Sequence, residues 1–180
     1  MKFRLSEERT QWRISLTSLS IGAALIYLWD LANGQRSEYY AAIAMAMSKS
    51  FSNLFFGTLD PGGSVTLDKI PGSYWIPAIF VKIFGFSTWA VNAPNAIATV
   101  CTVIVVAITI KNLYGKTAGL IAGAIFATTP IVAAVSRSNQ PQSYFLLTLA
   151  ISAWAAEKAD RKSTRLNSSH MSESRMPSSA

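Results

Sequence analysis

The sequence predicts an all-α protein, a polytopic membrane helical bundle with interfacial helices in its first outer loop. Three observations predict it. Apolar residues make up 51% of the 180-residue chain. They gather in runs close to the length that crosses a hydrocarbon core, roughly 20 residues. The basic residues behind the net charge of +7 stand at the ends of those runs. A nucleic-acid face would instead show a basic stripe interleaved with aromatics, so no nucleic-acid partner is expected. The chain has one cysteine, Cys101, in the middle of an apolar run, which excludes disulfide and zinc frameworks here.

The first predicted span is residues 14–29, behind a short basic arm of Lys2, Arg4, Arg9 and Arg13. No small-residue cleavage site follows "IYLWD", so the segment reads as a retained anchor and not as a signal peptide. Residues 94–110 form the cleanest span, residues 118–135 the next, and residues 144–156 a short fourth. Lys and Arg in short loops mark the cytoplasmic side. The basic arm and the "KNLYGK" connection, with Lys111 and Lys116, are therefore expected inside. That places residues 30–93 and the short loop 136–142 together on the outer side.

In the outer loop, Tyr40, Ile43, Ala44, Met47, Phe51, Leu54 and Phe55 recur at helical spacing and form one apolar stripe. Glu38, Lys49 and Asn53 fall on the opposite face. A second aromatic-rich element, residues 74–86, is interrupted by Pro77 and Lys82 and is too short to span. Both have the pattern of helices lying in the membrane interface; core helices of an outer domain are the other reading. Between them lie a Gly-rich turn, "DPGG", and the stretch "VTLDKIPGSYW", which holds Asp68, Lys69 and Pro71 in one rigid loop. In the third span Gly115, Gly119, Gly123 and Ala127 repeat every fourth residue, the small-residue spacing that lets helices approach closely.

The last residues have a different character. Residues 160–163, 164–170 and 174–180 back-translate to read-through strings of a common library adapter, with residues 171–173 where a variable index falls. Residues 1–159 are accordingly taken as the natural part, and residues 160–180 as a non-native tail expected to adopt no packed structure. On this reading His170 and the sequon at Asn167 carry no biology, and the natural protein continues beyond Ala159. A genuine Ser-rich polar tail is the alternative.

The run "SEYYAAIAMAMSKSFSNLFFGTLDPGGSVTLDKIPGSYW", followed by "FGFSTWAVNAPNAIATV", "LYGKTAGLIAGAIFATTP" and "SRSNQP", resembles the N-terminal part of the bacterial family 39 glycosyltransferases. These are membrane enzymes related to protein O-mannosyltransferases and lipid A aminoarabinose transferases. The resemblance covers nearly all of residues 14–159. It implies the type C glycosyltransferase fold in the bacterial cell membrane, with an active site at the outer face. It also implies a polyprenyl-phosphate sugar as donor substrate and an acceptor of unspecified identity; no cofactor is expected, and a metal is left open.

The resemblance assigns roles that suit the chemistry. Glycosyl transfer needs a carboxylate to accept the acceptor's proton and cations to offset charge on the departing phosphate. Glu38 matches the acidic position of the first outer loop and is the candidate base, with Ser37 where relatives often carry Asp. "DKIP" matches an acidic-Lys-Pro-Pro loop, with Ile70 in place of the first proline. Here Lys69 is the candidate phosphate contact, and Asp68 orients it or meets sugar hydroxyls. Arg137 is retained in the second outer loop and can clamp phosphate, while Gln142 replaces a usual acid. Tyr39, Tyr40 and Asp60 complete the candidate substrate contacts, and no residue is nominated as a metal ligand. A transporter would call for ionisable residues within the spans, and a non-catalytic scaffold would need no outer charges. Those two classes stay open beside the enzyme.

Overall fold

The structure is a computed structural model that describes the backbone of residues 2–173 and the side chains of residues 7–163. Among these residues the fold is all-α, of membrane type. Its order is α1 (Lys2–Leu28), a 3-10 turn (Leu31–Asn33), α2 (Glu38–Ser48), α3 (Phe51–Phe56), α4 (Gly72–Phe84), α5 (Thr88–Tyr114), α6 (Lys116–Thr128), α7 (Pro130–Ser136) and α8 (Gln142–Glu173). Lys2 and Arg4, as side chains, and residues 174–180 lie outside the described part, as do the side chains of Asn167 and His170.

Helix α5 is the axis, packing against α1, α4, α6 and α8. Its buried face is made of small residues. One core joins Ala23 and Tyr27 of α1 to Ala93, Ala96 and Val103 of α5 and Ala127 of α6. The Tyr27 hydroxyl donates to the Ala127 carbonyl at 2.9 Å. Larger apolar side chains, among them Ile21, Leu25, Ile97, Ile125, Phe145 and Leu149, point outward. Small residues inside and large apolar ones outside reverse the pattern of a water-soluble bundle and match close helix packing within lipid.

The small-residue repeat behaves as predicted at three of its four positions. Gly119, Gly123 and Ala127 are buried. A Cβ on Gly119 would come 2.5 Å from the Ala107 carbonyl oxygen, and one on Gly123 2.7 Å from Leu19 Cδ2. Gly115 instead forms the α5–α6 turn at φ 95°, a backbone region that glycine enters without strain.

Several expected boundaries move. Among the described residues only α5 is by itself long and apolar enough to cross a membrane, at mean hydropathy 2.1; α6 and α7, bent by 62°, pass together as a broken span. The break falls at Thr129-Pro130, because proline lacks the N–H that would continue α6. The span expected over residues 118–135 thus consists of two helices. Helix α5 begins at Thr88, capped by Ser87 Oγ accepting from the Ala90 N–H. Pro94 therefore lies inside the helix, past the start assigned to it.

The single stripe over residues 40–55 is also corrected. Ser50 caps a new helix, its Oγ accepting from the Asn53 N–H at 3.0 Å, and the break shifts the helical phase. Ile43, Ala44 and Met47 are buried against α4, but Phe51 and Phe55 are exposed. Asn53, assigned to the polar face, is buried and donates to the carbonyls of Ala46 and Pro61. The α2–α4 pair thus forms a small core of its own around Ile43, Met47, Tyr74 and Ala78.

Helix α8 runs on through Asp160 to Glu173, where no packed structure is expected from the sequence. Extending an existing helix costs no new nucleus, so residues with ordinary helix propensity suffice. Residues 160–163 are exposed, and Arg161 pairs with Glu157 one turn back.

Candidate functional site

The charged groups of residues 36–69 and the backbone of residues 137–140 lie at one end of the bundle. Helix α2 starts at Glu38, and the carboxylate one residue into its first turn favours the positive helix end. Arg36 holds it: Nε and Nη2 both donate to Glu38 Oε1, at 3.2 and 2.9 Å. The Arg36 guanidinium lies 5.3 Å from the centre of the Phe86 ring. Glu38 remains 77% exposed on its side chain.

The next residue, Tyr39, meets a second charged pair. Tyr39 donates its hydroxyl to Asp68 Oδ1 at 2.7 Å, while Lys69 Nζ donates to Asp68 Oδ2 at 3.1 Å. The ammonium also lies 5.9 Å from the Tyr39 ring centre, within cation–π range. The Tyr39 hydrogen bond, then Lys69, holds the Asp68 carboxyl below the usual carboxylate range. Asp68 in turn raises the pKa of Lys69 and of Tyr39. Lys69 is a fixed cation with donors left over, since an ammonium carries three. Tyr40 faces inward, stacked on Tyr74 at 5.8 Å and edge-on to Tyr39 at 5.4 Å.

The second loop is tied to the same place. The Ser37 N–H donates to Asn139 Oδ1 at 2.8 Å, and Asn139 Nδ2 donates back to the Ser37 carbonyl at 2.9 Å. Asn92 Nδ2 donates to the carbonyls of both Gln35 and Arg137, each at 3.1 Å. Arg137 therefore leaves the backbone beside the segment that leads into Glu38. Gln142 opens α8.

Asp60 stands apart from this group. Its Oδ1 accepts from the Val65 N–H at 2.7 Å and its Oδ2 from the Ser64 hydroxyl at 2.9 Å, contacts that lower its pKa, the Val65 bond most. It closes the hairpin between Gly57 and Leu67, whose turn needs Gly63 at φ 74°. Among the described residues, no three His, Cys, Asp or Glu side chains are grouped to hold a metal ion. Arg36, Asn92 and Asn95 are not among the residues that the sequence nominates. Two asparagines three residues apart at the head of an apolar run were the available signal, because buried amides there need partners.

A profile of the family described as dolichyl-phosphate-mannose-protein mannosyltransferase matches residues 68–167. The chain belongs to this family. The matched segment starts at Asp68 and includes Lys69, Asn92, Asn95 and Arg137, with Glu38 ahead of it. Two relatives in Bacillus subtilis (strain 168) reach further. "Putative mannosyltransferase YkcB" is 33% identical over 159 residues, 88% of this chain and 22% of its own. "Putative mannosyltransferase YycA" is 42% identical over 125 residues, 68% of this chain and 18% of its own. The chain thus spans about a fifth of the length of these relatives. No solved structure matches it significantly.

Proposed function

We propose that the whole protein is a membrane glycosyltransferase that moves a sugar, by its family a mannose, from a polyprenyl-phosphate carrier to an acceptor hydroxyl at the outer membrane face. The observation that carries this reading is the Tyr39–Asp68–Lys69 cluster, next in the chain to the Arg36-paired Glu38, with the Arg137 loop fastened to Ser37. An acid and cations at one end of an apolar bundle suit an anionic lipid-linked sugar held at the surface.

The acceptor oxygen attacks the anomeric carbon as the bond from that carbon to the phosphate oxygen breaks. Glu38 receives the acceptor's proton. Lys69 and Arg137 offset the charge gained by the leaving phosphate. Asp68 orients Lys69, and Tyr39 fixes Asp68 from the other side.

Placement in the membrane follows from the two ends of the bundle. At the end away from the charged group, Lys116 pairs with Glu8 at 2.8 Å and Lys111 lies 4.8 Å from the Trp12 ring centre. The basic arm and the α5–α6 turn therefore share one end, which we assign to the cytoplasm. Exposed Phe55, Phe56, Ile76, Ile79, Ile83 and Phe84 of α3 and α4 suit contact with the outer lipid interface.

The test is sugar transfer from a polyprenyl-phosphate mannose by membranes containing the full-length protein, beside Lys69→Ala at matched expression. Transfer that falls in the variant together with donor binding supports the reading. Absence of transfer by the wild type, or a variant as active as wild type, refutes it.

A further inference from the structure

Helix α5 holds both outer loops with two asparagines that belong to neither charged pair. Asn92 and Asn95 are fully enclosed, each 0% exposed. Each gives both hydrogens of its amide to backbone carbonyls: Asn92 to Gln35 and Arg137, Asn95 to Ser138 at 2.7 Å and Gln140 at 2.8 Å. The four carbonyls fix the amide orientation, since an amide oxygen facing them would be repelled. The two Oδ1 atoms, meanwhile, have no hydrogen-bond partner among the described residues. Each amide leaves its oxygen unsatisfied while supplying donors to two backbone carbonyls, so its side chain ties α5 to the loops as well as packing the helix. What they fix is the path of residues 137–140 against residues 35–37.

We propose that Asn92 and Asn95 are positioning residues that set the place of Arg137 relative to Glu38, so that phosphate cation and base meet the same donor. This rests on the transferase reading above. Gly34 offers an independent way to disturb the clamp. A Cβ there would lie 2.9 Å from the Arg137 carbonyl oxygen and 3.1 Å from Asn92 Nδ2. Its φ of −66° is open to any residue, so Gly34→Ala acts as a wedge and leaves both asparagines in place.

The experiment uses the full-length protein in membranes, with a cysteine-depleted version carrying Gln35→Cys and Arg137→Cys for a short thiol cross-linker. The cross-link should form with Asn92 present and be lost in Asn92→Leu and Gly34→Ala. In the otherwise unaltered protein, the same two substitutions should raise the donor KM about tenfold, the loss of one charge-assisted contact. In an Arg137→Ala background they should add little, because residues acting as one unit are not additive. Unchanged cross-linking and KM in both variants overturn the proposal, as do additive losses with Arg137→Ala. Normal transfer by Arg137→Ala removes the purpose assigned to the clamp and overturns it too. Absence of transfer by the wild type, with a cross-link that still depends on Asn92, refutes the transferase reading alone.

Discussion

Glu38 and Asp68 are both exposed carboxylates, but they are bound differently, and that difference separates their roles. Asp68 spends both oxygens, one on Tyr39 and one on Lys69, whereas Glu38 meets Arg36 through Oε1. Glu38→Gln in the full-length protein should therefore lower turnover by about 10²- to 10⁴-fold, the usual range for a lost general base. Donor binding at matched expression should stay near wild type, and wild-type transfer would remove Glu38 as base. The Asp68 cluster carries a pH prediction of its own. A lowered carboxyl pKa means the contact is complete above the ordinary value of about 4 and is lost only as pH falls through the lower folded value. Lys69, with its pKa raised, keeps its charge through its ordinary range. Tyrosinate absorbance should then show Tyr39 titrating above its ordinary range in the wild type and earlier in Asp68→Asn. Identical titrations would show that the Tyr39–Asp68 bond does not form.

The elements are set by punctuation as much as by apolar pattern. Ser50 restarts the chain as α3 and turns Asn53 inward. Asn53→Ala would strip a donor from the Ala46 and Pro61 carbonyls, and we expect a loss of about 1–3 kcal/mol, read as a lower unfolding midpoint in detergent. The α5–α6 contact gives a sharper comparison. At Gly119 a new Cβ meets backbone, the Ala107 oxygen at 2.5 Å, while at Gly22 nothing lies within 4 Å. Gly119→Ala should destabilise by about 1–3 kcal/mol through overpacking. Gly22→Ala should be neutral or stabilising by up to about 1 kcal/mol through helix propensity. Equal midpoints for the two variants would contradict the close α5–α6 approach.

Across the whole molecule, two sets of contacts define opposite ends: Glu8 with Lys116 at one, Ser37 with Asn139 at the other. With the first end in the cytoplasm, Val65→Cys should react with a membrane-impermeant thiol reagent in intact cells, and Tyr114→Cys only after lysis. Val65 and Tyr114 are both exposed, so burial would not mask either one. Labelling of Tyr114→Cys in intact cells would invert the proposed orientation.

Residue order alone was enough for the all-α class, the family and the long apolar run that becomes α5. Hydrophobic period, small-residue spacing and charge at helix ends are local properties that survive without tertiary contacts. "SEYY" and "DKIP" also marked the charged residues, because an acid and a lysine in an otherwise apolar setting stand out in one dimension. Only the tertiary structure decided which of them meet. Tyr39 and Asp68 are separated by 29 positions and Ser37 and Asn139 by 102, and no local pattern encodes such pairings. The same holds for Asn53, which a continuous helix would turn outward and a cap at Ser50 turns inward. Asn92 and Asn95 read as ordinary polar residues at the start of a span. Their meaning appears only when four carbonyls from other parts of the chain converge on them, because a buried amide takes its role from the groups it must satisfy.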